Sequence, residues 1–255
     1  MRTKRTLIGF PAFYRKVEKM WGGGRLSYRL LIFDFDGTLA NTREAVLRSM
    51  TTTLDELLGA SNGITAEGIE TVVAAGLTLP DTFAHLLAGR LPEIEDKIIW
   101  AVARYRAIYA KHGHDWTTLY PGVAELLQAA QSGKIALAVV SNKGEPALRA
   151  SLKALGIGDC FTLVVGEQAN LRPKPAPDIF NHCIVPAFAS IHSSEILFVG
   201  DTPADLAFAN SVGIDACWAA HGHGDDKACR LLNPVCVIDG FDDLATFLGL
   251  DGRNG

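Results

Sequence analysis

At 255 residues, 48% of them hydrophobic, and with a formal net charge of −4, the chain has room for one large α/β domain or for a core domain carrying a smaller insertion. Five cysteines (Cys160, Cys183, Cys217, Cys229 and Cys236) are odd in number and form no CxxC pair, which argues against a disulfide framework or a zinc site and for a reducing cytoplasmic compartment. No apolar run approaches the roughly 20 residues of a membrane helix and no signal-peptide core is visible, so a soluble protein with no membrane partner is expected.

The first 28 residues are basic, with Arg2, Lys4, Arg5, Arg15, Lys16, Lys19 and Arg25 set against Glu18 alone. Such a start suits an organelle-targeting peptide, a nucleic-acid-binding arm or a plain appendage. The appendage is preferred, because charge runs without a motif are usually solvated, and no nucleic-acid partner is expected. Gly22-Gly23-Gly24 marks its end.

The run Leu30-Leu31-Ile32-Phe33-Asp34-Phe35-Asp36-Gly37-Thr38-Leu39 follows. Four apolar residues without polar alternation fit a parallel strand buried on both faces. Asp34 and Asp36 then sit at its C-terminal end, where open parallel sheets bind ligands, and being two apart they project to one side. Two close carboxylates repel and invite a cation, and a carboxylate plus a backbone carbonyl is the hard oxygen set that suits Mg²⁺. An isolated Asp-x-Asp-Gly is more often a solvated turn, but a hydrophobic strand directly before it weakens that reading. An EF-hand loop is rejected, since Leu39 and Ala45 stand where it wants Gly and Glu.

Residues 43–120 read as helices with little strand signal, clearest at Ile98, Val102, Tyr105 and Tyr109. Turns are expected at Pro80, residues 89–92 and residues 113–116. After Pro121-Gly122 the pattern becomes βαβ, with a helix to Gly133, a strand over Ile135 to Val140 and a helix from near Pro146 to Gly156. Strands are predicted at 161–165, 196–199, 215–219 and 235–238, and helices at about 177–188, 203–211 and 241–249. The expected fold is an α/β, Rossmann-like parallel-sheet core (29–42 and 121–255) interrupted by an inserted α-helical cap domain (43–120) that opens for substrate and closes against water.

Three further strand ends carry polar groups suited to one phosphoryl group. Ser141-Asn142 follows a strand and precedes a helix, offering hydroxyl, amide and backbone N–H groups, although alone it would pass for a helix N-cap. Lys174, in Arg172-Pro173-Lys174-Pro175, is a cation on stiffened backbone, although a lone lysine in such a turn is commonly solvated. Asp201, at the end of Phe198-Val199-Gly200-Asp201-Thr202-Pro203, suits a metal, and Asp205 one helical turn later could hold Lys174 or a metal-bound water from behind.

With these four elements in this order, the chain from residue 30 onward resembles the haloacid dehalogenase superfamily. The helical insertion, Asp36-Gly37-Thr38 and Gly200-Asp201-Thr202 are similar to its phosphoglycolate phosphatase group. The resemblance implies Asp34 as the nucleophile forming an aspartyl-phosphate, Asp36 as general acid and then base, and Ser141, Asn142 and Lys174 on the phosphate. It implies Mg²⁺ on the Asp34 carboxylate, the Asp36 carbonyl and Asp201. Asn41 departs from relatives that often carry Asp there, which touches hinge details and not the nucleophile.

The expected activity is therefore hydrolysis of a small phosphorylated metabolite with Mg²⁺, 2-phosphoglycolate being the first candidate, by a monomer or homodimer. A sugar phosphomutase of the beta-phosphoglucomutase kind is the alternative, but such relatives often carry Glu where this chain has Gly200. A metal-independent dehalogenase and a non-catalytic phosphate-ligand binding protein are the further rivals; the last usually requires a lost catalytic group. His221-Gly222-His223 is read as a loop at the site entrance, not a metal site, and His112 and His114 as exposed turn residues. Arg43, Arg48, Arg90, Lys97, Arg104, Arg106 and Lys111 of the helical block are candidate partners for a substrate carboxylate.

Overall fold

A computed structural model describes residues 28–251; the basic segment before Tyr28 lies outside the described residues. In chain order the elements begin with β1 (Leu30–Phe33) and β2 (Ala40–Asn41). Four helices follow: α1 (Arg43–Leu58), α2 (Ala66–Val73), α3 (Leu79–Leu87) and α4 (Ile94–His112). Then come β3 (Thr118–Leu119), α5 (Val123–Ser132), β4 (Ala136–Gly144), α6 (Glu145–Ala154) and β5 (Leu163–Glu167). A π-helical stretch, Phe180–Ile184, runs into α7 (Val185–Ala187). The chain closes with β6 (Ile196–Gly200), α8 (Pro203–Val212), β7 (Asp215–Ala219), α9 (Asp226–Leu231), β8 (Cys236–Ile238) and α10 (Phe241–Leu248).

The main sheet has the order β5-β4-β1-β6-β7-β8, and each neighbouring pair is parallel. β1 is central, with Leu30 in register with Ala136 on one side and Ile196 on the other. The chain moves from β1 to opposite sides of it, so a crevice opens at its C-terminal end, where α/β sheets bind ligands. The period of two along β1 is visible in the packing. Leu31, Phe33 and Phe35 join one buried cluster, Leu30 and Ile32 the other. Each such side chain stabilises the fold by about 1.5–3 kcal/mol, an upper figure because unfolded chains are partly compact.

The helical block builds its own core from Met50 and Leu54 of α1, Phe83 and Leu87 of α3, and Tyr105 and Tyr109 of α4. Pro80, expected in a turn, instead lies in the first turn of α3, where its missing N–H costs nothing. Thr78 caps that helix by accepting from Asp81 N–H at 3.3 Å. His112 stacks on Trp116 at 5.6 Å and is half-buried, not exposed. The two passages between the block and the main sheet lie side by side as antiparallel β2 and β3, Asn41 opposite Thr118.

Three boundaries differ from expectation. β4 runs on through Ser141, Asn142 and Lys143 to Gly144, because its last residue still pairs with Glu167 of β5; the N-cap of α6 is therefore Gly144, not Ser141 or Asn142. α9 is not among the helices expected from the sequence, yet Asp225 starts it by accepting from Ala228 N–H at 2.7 Å. The helix expected at 177–188 is present, with a π-helical middle over Phe180–Ile184. The five cysteines are free thiols, and among the described residues no helix is long and apolar enough to cross a membrane.

Candidate active site

Asp34 lies one residue beyond β1, its N–H donating to Val199 O at 2.9 Å, so the parallel ladder itself fixes where the carboxylate stands. Gly37 follows with φ +83°, in the left-handed region, and a side chain there would run into Asp201 and His223. The turn is closed by Gly37 N–H to Ala40 O at 2.9 Å and delivers Thr38, whose hydroxyl donates to Asp201 Oδ1 at 2.9 Å.

Lys174 is the centre of the constellation. Its buried ammonium donates to Asp34 Oδ1 at 2.8 Å, Asp205 Oδ1 at 2.6 Å and Val140 O at 2.9 Å, which uses all three of its N–H groups. Burial opposes its charge, yet Asp205 and Asp34 prevail and its pKa lies above the ordinary lysine value. The Asn142 amide fixes the lysine backbone: its Oδ1 accepts from Lys174 N–H at 2.9 Å and its Nδ2 donates to Lys174 O at 3.0 Å. The Asn142 side chain thus holds the lysine in place, while Ser141, with its Oγ accepting from Lys143 N–H at 3.3 Å, borders the cavity. Asp205 is held from its far side by Thr202, N–H at 2.9 Å and hydroxyl at 2.7 Å. Gly200 packs directly on Asp205, and a larger residue there would collide with it.

Asp201 is fully buried; besides Thr38 it accepts from His223 N–H at 2.7 Å. Oxygens of Asp34, Asp201 and Asp205 lie within 4.8 Å of one another. Burial pushes Asp34 up to about 7 against the pull of Lys174, with Asp205 adding repulsion. Burial and the neighbouring Asp205 and Asp34 also drive Asp201 well above the ordinary carboxylate range. Three buried carboxylates against one ammonium are short of positive charge, and an all-oxygen donor set fits a hard divalent cation such as Mg²⁺.

Asp36 stands on the same side of the chain as Asp34 and is partly open to the cavity. Its carboxylate meets Lys143 Nζ at 3.0 and 3.3 Å. Lys143 was missed in the sequence. No local signal marks it: Lys143 lies between Val140 and Gly144, where the register of β4 against β5 shifts, so strand alternation does not place its side chain. His223 also lines the cavity, whereas His221 turns away to pack, tilted, against the Tyr120 ring at 4.3 Å.

The cavity, about 150 Å³, lies between these strand ends and the helical block, whose Val46, Met50, Val73, Leu79, Tyr105 and Tyr109 supply apolar wall. Of the seven candidate cations in the block, Arg106 reaches it, though paired with Glu167 at 2.6 Å. Arg43 borders a smaller neighbouring cavity and binds Glu70. Arg48 and Arg104 are spent on Glu44 and Glu56, and Arg90 on Asn62 O.

Residues 31–219 match the family model of haloacid dehalogenase-like hydrolases. The chain is 30% identical to a phosphoglycolate phosphatase of Rhodospirillum rubrum over 236 residues, covering 89% of this chain and 93% of that protein. It is 31% identical to one of Pectobacterium atrosepticum over 225 residues, covering 87% and 92%. A solved structure described as a predicted phosphoglycolate phosphatase from Haemophilus somnus superposes with a TM-score of 0.75 at 24% identity, covering 88% of this chain and 99% of that one. CbbY from Rhodobacter sphaeroides, solved in complex with phosphate, gives 0.71 at 21% identity, covering 87% and 99%. The chain belongs to the haloacid dehalogenase-like hydrolase family. Within it, the chain is similar to the phosphoglycolate phosphatases of Rhodospirillum rubrum and Pectobacterium atrosepticum along most of its length.

Proposed function

We propose that the protein is a Mg²⁺-dependent phosphatase of a small phosphorylated metabolite, 2-phosphoglycolate being the first candidate, and that it works through an aspartyl-phosphate on Asp34. The observation that carries this reading is the buried Asp34 carboxylate, pinned by Lys174 through one oxygen at 2.8 Å and grouped with Asp201, while Asp36 faces the same cavity two residues on. The Asp34 carboxylate, the Asp36 carbonyl and Asp201 would hold Mg²⁺. When bound, the ion would draw charge from the phosphoryl oxygens and let an anionic nucleophile approach.

An Asp34 oxygen attacks phosphorus as the ester P–O bond breaks, and Asp36 gives its proton to the leaving oxygen, so no alkoxide is released. Asp36, now ionised, takes a proton from water as that water attacks the aspartyl-phosphate. Inorganic phosphate leaves and the Asp34 carboxylate is regenerated. Lys174 holds Asp34 in place and offsets charge on the phosphoryl group, Ser141 and the strand-end N–H groups bind its oxygens, and Asp205 and Asn142 keep the lysine aimed. Residues 43–120 act as a cap on the core formed by 29–42 and 121–255, hinged at β2 and β3, whose closure excludes water.

Phosphate release from a panel of small phosphomonoesters, measured with Mg²⁺ and with chelator, tests this. Metal-dependent turnover is expected, with loss of at least about 10³-fold in Asp34→Asn. No turnover of any ester, or full activity in Asp34→Asn, would sink it.

A further inference from the structure

We infer that Lys143 is the cation that selects the substrate: it receives a second anionic group, a carboxylate, placed one carbon from the ester oxygen. This rests on the phosphatase reading above and adds to it the chemistry of the leaving group.

The starting observation is a buried charge that the phosphoryl chemistry leaves unused. The Lys143 side chain is 9% exposed, and its ammonium stands 3.8 Å over the Tyr109 ring and 5.7 Å from the Phe35 ring. Clamped between an aromatic of α4 and one of the β1 turn, it cannot swing out to water as surface lysines do. Its place is set twice, since its backbone lies in the register shift of β4 between Val140, paired with Val165, and Gly144, paired with Glu167, and Asp36 holds its tip at 3.0 Å.

The position follows from the role of Asp36. A group that donates to the ester oxygen lies about 3 Å from it, and Lys143 touches that same carboxylate from the cavity side. An anionic group one methylene beyond the ester oxygen therefore comes within reach of Lys143 without leaving the phosphoryl site. An ammonium has three donors, and one carboxylate does not exhaust them. The other cations on the wall are less suited. Lys174 has all three donors engaged, and Arg106 is bound to Glu167 with half its side chain in solvent. Apolar neighbours such as Met50 and Val73 leave an anion few alternatives, so the wall favours a small acid over a neutral polar chain.

The test compares two esters matched in size, 2-phosphoglycolate and 2-hydroxyethyl phosphate, which differ in carboxylate against hydroxymethyl. The readout is the ratio of their kcat/KM values, so a loss common to both cancels. Wild type is expected to prefer the carboxylate ester, Lys143→Met to cut that preference by about tenfold or more, chiefly through KM, and Lys143→Arg to restore part of it. The same comparison by titration calorimetry in Asp34→Asn, which binds without turnover, gives the answer independently of catalysis. Equal losses for both esters in Lys143→Met, or no preference in wild type, would overturn the inference while leaving phosphatase activity standing. Failure of every ester to turn over, with a Lys143-dependent preference kept in the calorimeter, would overturn the mechanism and support the binding role.

Discussion

Replacing Lys174 by Met, a change that keeps the length of the side chain and removes its charge, tests the electrostatics of the site most directly. In wild type the ammonium is the protein cation among three carboxylates whose oxygens lie within 4.8 Å, and it bonds two of them at 2.8 and 2.6 Å. Removing one partner of a buried charge cluster costs about 3–5 kcal/mol, because what remains is buried and uncompensated. At this chain size each kcal/mol moves the melting midpoint by about 2–4 °C, so a fall of about 6–20 °C is expected for metal-free protein at pH 8. The lysine pKa is raised by Asp205 and Asp34 against the cost of burial, so its own contribution is present below the unfolded value and is lost only above it, beyond the range assayed. The carboxylate side sets the pH dependence. Burial raises Asp34 to about 7, so between about pH 4 and 7 the folded state binds more protons than the unfolded one, and stability falls as pH rises. Without Lys174 that fall is steeper and continues above pH 7. Urea unfolding followed by circular dichroism in chelator, at pH 5.5 and 8, reads both quantities. A variant within about 1 kcal/mol of wild type at pH 8, or a gap that does not widen from pH 5.5 to 8, would refute the reasoning.

Mg²⁺ is expected to raise the melting temperature more at pH 8 than at pH 5.5, because protons compete with it for Asp34 and Asp201, both pushed up by burial first and by neighbouring carboxylates next. Calorimetric scans with and without metal check this, and an equal gain at both pH values, or one that survives in Asp201→Asn, counts against the site. Asp36→Ala is expected to lower kcat for an alkyl phosphate by about 10²–10⁴-fold, but p-nitrophenyl phosphate by much less, since nitrophenolate leaves without a proton. Equal losses on the two esters would remove Asp36 from the role of acid. Gly222→Ala would push a methyl group into Asp201 and the Gly37 carbonyl; a loss of about 1–3 kcal/mol together with a weaker response to Mg²⁺ is expected, and thermal scans measure both.

Legibility in the sequence followed from how local each signal was. Asp34, Asp36 and Asp201 end apolar strands, and the alternation that buries Leu30 and Ile32 on one face of β1 also sets the side on which the carboxylates emerge. Lys174 was legible through its prolines and through its order among the other strand ends. Lys143 was not, because the apolar run stops at Val140; the strand's continuation depends on Gly144 pairing with Glu167, a contact 23 residues away in the chain. Asn142 looked like a group for phosphate, and only the approach of the 174 loop turned its amide onto the lysine backbone.

The sequence by itself determined the chain order of the six main-sheet strands, the carboxylates at the ends of two of them, and the family. Those properties are written in hydrophobic period and in short spacings, which act within a few residues. Tertiary structure alone decided which charges meet: Lys174 on Asp34 and Asp205, Lys143 on Asp36 beneath Tyr109, His223 N–H on Asp201. Those pairings join residues 22 to 140 positions apart. Their energies depend on burial and on distances of about 3 Å, which packing sets and local sequence does not.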